Sequence, residues 1–250
     1  MVQTFLNVLG IPEKCYLNKT LFKKLFQENA DLDITDKKAL KDDIDKIRWL
    51  YTLKPSTVNI EPFKDAEREY DEVAILQIDL TNATRMKRIS SFVHKAIPYP
   101  IIIIFTHGDD IALSVADKRI NQADKTKWVV EEGWLTEWFN PSKPNKVQQQ
   151  FMAGLSLKNL SFVNFYAFYT DVKNLVISLN AAEQTGSYNV TKGSDAQSRI
   201  EKLRELEKLE QEKSELQNKL KKEKQMGRQV DLTTHIKKIA DQINGLKQEL

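Results

Sequence analysis

Carboxylates beside apolar runs come nearest, among the residues of this chain, to a reaction centre. A metal-dependent nuclease core sets an acid on one strand and, on the next, an acid or Gln just before a Lys. The carboxylates bind Mg²⁺ and the ammonium positions or activates water. The nearest match is Gln77-Ile78-Asp79, preceded by Asp71 and Glu72, and it carries Asp where the Lys would stand. A looser set, Asp109, Asp110, Asp117 and Lys118, lies across a hairpin, and acids at its Gly-containing turn are ordinary turn residues. Asp71, Asp79, Asp109, Asp110 and Asp117 therefore define a nuclease alternative.

Other chemistries have less to stand on. His94, His107 and His235 fall in three different elements, and no pair has the i, i+4 spacing of a helical metal site. The single Cys15 excludes an internal disulfide and a multi-thiolate metal site, and fits a reducing compartment. Eight glycines are spread without a phosphate-cradling loop of either common spacing. No cofactor and no metal are expected, and the reading is of a non-catalytic protein.

A binding chemistry is better represented. Between Lys219 and Arg228 the chain places Lys219, Lys221, Lys222, Lys224 and Arg228 against one acid, Glu223. Such a cluster suits DNA phosphate or an acidic partner surface, and contact with phosphate would be blind to sequence. It also suits the C-terminus of a helix, whose free carbonyls favour cations.

The elements that must position these groups follow from periodicity. From Asp195 to Leu250 leucines and isoleucines recur at helical spacing, and Leu232, Ile236, Ile239, Ile243, Leu246 and Leu250 run 4,3,4,3,4. Ile200, Leu203, Leu206, Leu209, Leu216 and Leu220 line a preceding arm with an irregular phase, and Gly227 with an Asp231 cap is the expected break. An antiparallel helical, coiled-coil hairpin over 194–250 is predicted. The irregular phase leaves room for a third helix, so a homo-oligomer or docking onto a larger enzyme is expected through Leu232, Ile236, Ile239, Ile243 and Leu246.

Ahead of it, a helix is expected from near Asn18 with Leu21, Phe22, Leu25 and Phe26. A second, capped by Thr35, carries Leu40, Ile44, Ile47, Leu50 and Tyr51 and is closed by Pro55. Ser56 to Ile60 and Glu72 to Leu80 read as strands, the latter central and covered on both faces. A helix from about Ala83 to Ala96, capped by Asn82, ends at Ile97-Pro98-Tyr99-Pro100. Ile101 to Phe105 and Ile111 to Val115 flank a hairpin turn at His107-Gly108-Asp109-Asp110, and Lys127 to Phe139 extends beyond. From about Lys158 to Ala182 a helix aligns Phe162, Phe165, Tyr169, Val172, Val176 and Leu179, a stripe read as core rather than as a base-stacking platform. The fold class is α+β: a mixed, largely antiparallel sheet with flanking helices over 1–185, a helical subregion at 145–182, a linker at 186–193, then the hairpin.

Composition bounds the class. The chain has 250 residues, 41% hydrophobic and 29% charged, with a net charge of +3. From Asp195 onward 13 basic residues meet 11 acidic ones, so neither part is strongly basic and overall charge does not call for nucleic acid. The longest apolar run, Ile101 to Phe105, is far short of the ~20 residues of a membrane helix, and Met1 to Gly10 lacks the basic flank of a signal peptide. A cytoplasmic location without membrane contact is expected.

The run from Ile47-Arg48-Trp49-Leu50-Tyr51 through Lys54-Pro55-Ser56-Thr57-Val58-Asn59-Ile60, the junction Lys95-Ala96-Ile97-Pro98-Tyr99-Pro100-Ile101-Ile102, the segment Ala116-Asp117-Lys118-Arg119, Thr136-Glu137-Trp138 and the terminal hairpin together resemble the bacterial domain-of-unknown-function family numbered 4391. The resemblance spans nearly the whole chain. Members of that family are typically encoded near helicase-like ATPases and DNA methyltransferases of restriction or anti-phage systems. The resemblance thus implies an accessory or adaptor subunit with such an ATPase or methyltransferase as partner, and it supplies no catalytic residue. A free, sequence-nonspecific DNA-binding protein is a further alternative.

Overall fold

The computed structural model describes residues 2–125, 127–191 and 194–250. Positions 192 and 193, the end of the expected linker, lie outside the described residues. The chain divides into two compact units, Met1–Leu179 and Asn180–Leu250.

The first unit begins with α1 (Val2–Leu9), a 3₁₀ turn, β1 (Tyr16–Leu21), α2 (Lys23–Asn29), α3 (Ile34–Asp42), β2 (Ile44–Leu53) and the short α4 (Pro55–Val58). A two-stranded ribbon, β3 (Phe63–Lys64) and β4 (Glu69–Tyr70), leads into β5 (Val73–Leu80), α5 (Met86–Ala96), β6 (Ile101–His107), β7 (Asp110–Ile120) and β8 (Trp128–Leu135). Then come α6 (Lys146–Gly154), a second 3₁₀ turn and α7 (Phe165–Thr185), whose last residues belong to the second unit. Among the described residues, six strands form one mixed sheet in the order β1-β2-β5-β6-β7-β8. Only β5 and β6 pair in parallel within it; the other neighbours are antiparallel. A parallel pair needs a crossover, and α5 supplies it.

The expected α+β class and the central, doubly covered β5 hold. One face of the sheet, with Leu76, Ile78, Ile103 and Phe105, packs on Leu40 of α3 and Ile89 and Val93 of α5. The other, with Ile75, Ile102, Ile104 and Leu113, meets Phe5 and Leu9 of α1 and Phe168 and Val172 of α7. Each such side chain taken out of water contributes about 1.5–3 kcal/mol. The stripe Phe165, Tyr169, Val172, Val176 and Leu179 is buried as expected, whereas Phe162 precedes the helix and is half exposed.

Several local expectations are corrected. The helix expected from Asn18 begins only at Lys23, because Tyr16–Leu21 pairs with β2. The helix expected through Tyr51 stops at Asp42, with Asp33 rather than Thr35 as its cap. Ile44 onward is the strand β2, and the bulges between Ile44 and Lys46 and between Trp49 and Tyr51 explain the error. Ile44 and Ile47 sit opposite Leu80 and Ile78, so three residues of β2 match two of β5 and a strand takes on helix-like apolar spacing. Pro55 opens a helical turn instead of closing one, and Ser56 to Val58 is helical where a strand was expected, since proline is preorganised for the first helical position.

The second unit is built on α8 (Ser194–Leu220) and α9 (Met226–Gln248), packed against each other as an antiparallel pair. Leu206, Leu209, Ile239 and Ile243 form its buried centre. Lys202 ion-pairs with Glu249, and Lys247 with Glu210, tying the arms together near their open ends. The break falls at 221–225 rather than at Gly227 and Asp231, which both lie inside α9.

Candidate functional site

The turn between α8 and α9 gathers the basic cluster. Lys219 lies in the last turn of α8, and its carbonyl accepts the N–H groups of Lys222 and Glu223 at 3.0 and 3.1 Å. The Glu223 carboxylate then turns back, accepting the N–H groups of Lys224 and Gln225 at 2.8 and 2.9 Å. These two bonds, first Gln225 and then Lys224, hold its pKa below the usual carboxylate value. By satisfying amides that would otherwise be orphaned, Glu223 starts α9 before Gly227. The single acid of the cluster is thus consumed by the turn, while Lys219, Lys221, Lys222, Lys224 and Arg228 are all exposed. Lys219, Lys222 and Arg228 border an open surface depression together with Asp231 and Leu232.

The seam residues do not share one environment. Ile239 and Ile243 are 2% and 5% exposed, and Leu246 packs at their edge. Leu232 and Ile236, nearer the tip, are only half buried. Met226 and Val230 stand 79% and 60% exposed.

The five candidate acids of the body divide between the two ends of the sheet, Asp79, Asp109 and Asp110 at one and Asp71 and Asp117 at the other. Asp71 precedes β5 and Asp79 lies near its end, eight residues further, roughly 26 Å along an extended chain. Asp79 is enclosed by donors: Arg48 Nη2 at 2.8 Å on one oxygen, Gln77 Nε2 at 2.5 Å and Thr106 Oγ1 at 2.6 Å on the other. Asp117 pairs with Lys173 at 2.7 Å. Asp109 and Asp110 shape the β6–β7 turn, where Gly108 has φ +60°. Asp71 is raised above the ordinary carboxylate value by burial and by neighbouring Glu69. Among the described residues, no group of three or more His, Cys, Asp or Glu side chains is placed to hold a metal ion.

Sequence reasoning passed over a buried polar set beneath α5. Ser114 Oγ lies 2.6 Å from Ser90 Oγ and 3.0 Å from His94 Nε2. Lys118, 1% exposed, donates to the carbonyls of Ile97 at 2.6 Å and Tyr99 at 2.7 Å. Burial pushes the Lys118 ammonium down to about 7, and burial first and then the Lys118 charge hold His94 well below 6.5. The signal was present in strand alternation: Ala112 faces the core, and Ser114 and Lys118 follow it at even spacing on β7. These groups have no opening to solvent and act as internal braces.

A family model described as a domain of unknown function, DUF4391, matches residues 9–243. The chain belongs to that family. No curated protein and no solved structure matches it. The match takes in the body and nearly all of the hairpin, so the helical arm is part of what defines a DUF4391 chain rather than an extension peculiar to this one. Among the described residues, no helix is long and apolar enough to cross a membrane.

Proposed function

We propose that this DUF4391 chain is a non-catalytic accessory subunit of a bacterial restriction-like or anti-phage defence complex in the cytoplasm. Its hairpin docks on a helicase-type ATPase or a DNA methyltransferase. The observation that carries the reading is the hairpin tip, where five exposed cations stand round a turn that occupies the one acid among them, with Met226 and Val230 exposed beside them. A hairpin serving only as a closed appendage has no need of such a face, whereas a docking arm does. The polar groups of the body support the same view, because Asp79 and Asp117 are spent on internal partners.

The exposed tip also favours a second reading, a contact with DNA phosphate. Four or five lysine and arginine contacts would make such binding fall steeply with salt and leave it indifferent to sequence. The nuclease alternative asks Asp71, Asp79, Asp109, Asp110 and Asp117 to cooperate from separate places.

The test is affinity capture from the native host with tagged full-length chain, beside a variant carrying Lys221→Glu, Lys222→Glu and Lys224→Glu. Capture of an ATPase or methyltransferase by the wild-type chain, reduced in the variant, supports docking through the hairpin. Capture of neither enzyme by the wild-type chain refutes it.

A further inference from the structure

We infer that the edge of the sheet formed by β1 and β2 is a platform for single-stranded nucleic acid, with Tyr16 and Phe22 stacking on bases and the cations around them holding phosphate. The surface belongs to the first unit and owes nothing to what the hairpin docks on.

The first argument is which side chains share a face. Tyr16 stands opposite Tyr51 and Thr20 opposite Arg48 across the β1–β2 pair. Across the β2–β5 pair, Tyr51, Arg48 and Lys46 stand opposite Ile75, Gln77 and Asp79. All of these lie on the face that carries Ile75, and strand alternation places Phe22, the residue after β1, on it too. Every residue from Tyr16 to Thr20 is exposed, so neither helical layer reaches this edge. Tyr16 is 46% and Phe22 76% exposed. The Tyr16 ring leans on that of Tyr51, with centroids 5.3 Å apart, which braces it on one side and leaves the other open. From Tyr16 to Phe22 is roughly 20 Å of extended chain, the reach of a short run of nucleotides.

The second argument is charge. From Lys14 to Lys24 the chain sets Lys14, Lys19, Lys23 and Lys24 around the two aromatics without an acid, and β2 adds Lys46 and Arg48. The bordering acids are Glu13, Glu28, Asp45 and Asp79. Glu28 is matched by Lys24 at 3.4 Å and Asp79 by Arg48 at 2.8 Å. Lys14, Lys19, Lys23 and Lys46 then face only Glu13 and Asp45, a local surplus of positive charge in a chain that is close to balanced.

The third argument decides the occupant. A protein strand adding to β1 would need a straight edge, but Asn18 has φ +48° and the register slips between Tyr16 and Lys19. A kinked edge with a lysine at its centre resists strand pairing. Contact is therefore made by side chains, and exposed rings interleaved with cations suit unpaired bases on a phosphate backbone. A duplex keeps its base faces inside its own stack and offers Tyr16 and Phe22 nothing to stack on.

The experiment is fluorescence anisotropy of labelled oligothymidylate, oligouridylate and a DNA duplex of equal length, titrated with the purified full-length chain over a salt series. At least one single strand should bind tenfold or more tighter than the duplex and weaken as salt rises; the tighter of the two single strands identifies DNA or RNA as the ligand. Tyr16→Ala and Phe22→Ala should each weaken that binding about fivefold or more, with the circular dichroism spectrum unchanged, whereas Phe22→Tyr should retain it. Lys19→Glu with Lys46→Glu should weaken it and flatten its salt dependence. No binding to either single strand, equal affinity for the duplex, or affinity that survives both alanine substitutions overturns the inference. Affinity lost in Lys221→Glu, Lys222→Glu and Lys224→Glu but kept in the platform variants assigns the contact to the hairpin tip and also overturns it. Capture of an ATPase or methyltransferase is scored separately and bears on the adaptor reading alone.

Discussion

Lys118 on β7 donates to the carbonyl of Ile97 at 2.6 Å, and this bond fastens the end of α5 to the sheet. The helix delivers its last carbonyls into a Pro-containing segment, Ile97 to Pro100, that cannot bond them from within. The second donation, to Tyr99 at 2.7 Å, holds the segment as it turns into β6. An ammonium is costly in so dry a place, which is why burial lowers its pKa to about 7 from an ordinary 10.5.

Stability should therefore depend on pH in a defined direction. Between pH 7 and 10.5 the unfolded chain holds the Lys118 proton that the folded chain has released, so stability climbs with pH across that window and this contribution levels off below it. His94 acts lower: kept neutral in the fold, it is protonated on unfolding below pH 6.5, so stability falls as the pH drops through that value. Denaturant titrations at a series of pH values on the wild type and Lys118→Met test this. The Met variant should lose the rise between pH 7 and 10.5 and keep the fall below 6.5.

Tyr169 is a second brace, on the opposite face of the sheet. Its hydroxyl donates to the Ile101 and Ala116 carbonyls at 2.9 and 3.1 Å and accepts the Ala116 N–H at 2.9 Å. Tyr169→Phe preserves the ring and its packing but strands a buried amide, which costs about 1–3 kcal/mol. A lower denaturant midpoint with an unchanged slope is the expected readout. An unaltered midpoint would mean that another group takes over the Ala116 amide.

What the sequence made legible, and what it hid, follows from how each element signals itself. β5 was readable as a near-continuous apolar run, the β6–β7 hairpin from the turn residues around Gly108, and the helical arms from leucines and isoleucines recurring at helical spacing. β2 was not, since its two bulges stretch the period and make Ile44 and Ile47 look like successive turns of a helix. The turn of the arms was misplaced because Gly227 is the conspicuous breaker, whereas the actual device is the Glu223 carboxylate, one acid in a row of lysines. Of the candidate residues, the tip cations lie where the pattern put them. The acids failed to converge because strand direction, invisible in composition, sends Asp71 and Asp79 to opposite ends of β5.

Asp79 separates the accessory reading from the nuclease one. Three donors already occupy its carboxylate, so a divalent cation would have to displace Arg48, Gln77 or Thr106. Neither Mg²⁺, Mn²⁺ nor chelator should move the thermal midpoint of the wild type, because a ligand that does not bind the native state cannot stabilise it. Asp79→Ala should lower that midpoint by leaving Arg48 half-buried without its carboxylate. A metal-dependent rise in the wild type, lost in Asp79→Ala, would instead revive the nuclease.

The uneven seam predicts an uneven local stability. Ile239 and Ile243 are closed over by Leu206 and Leu209, whereas Val230 has water on most of its surface. Ile239→Ala therefore removes a packed side chain and should cost about 2–5 kcal/mol, enough to raise amide exchange throughout α8 and α9. Val230→Ala removes little that is buried within one chain and should leave exchange in dilute solution unchanged. Exchange that quickens equally in both variants would mean that Val230 is packed in solution, and would overturn the uneven burial.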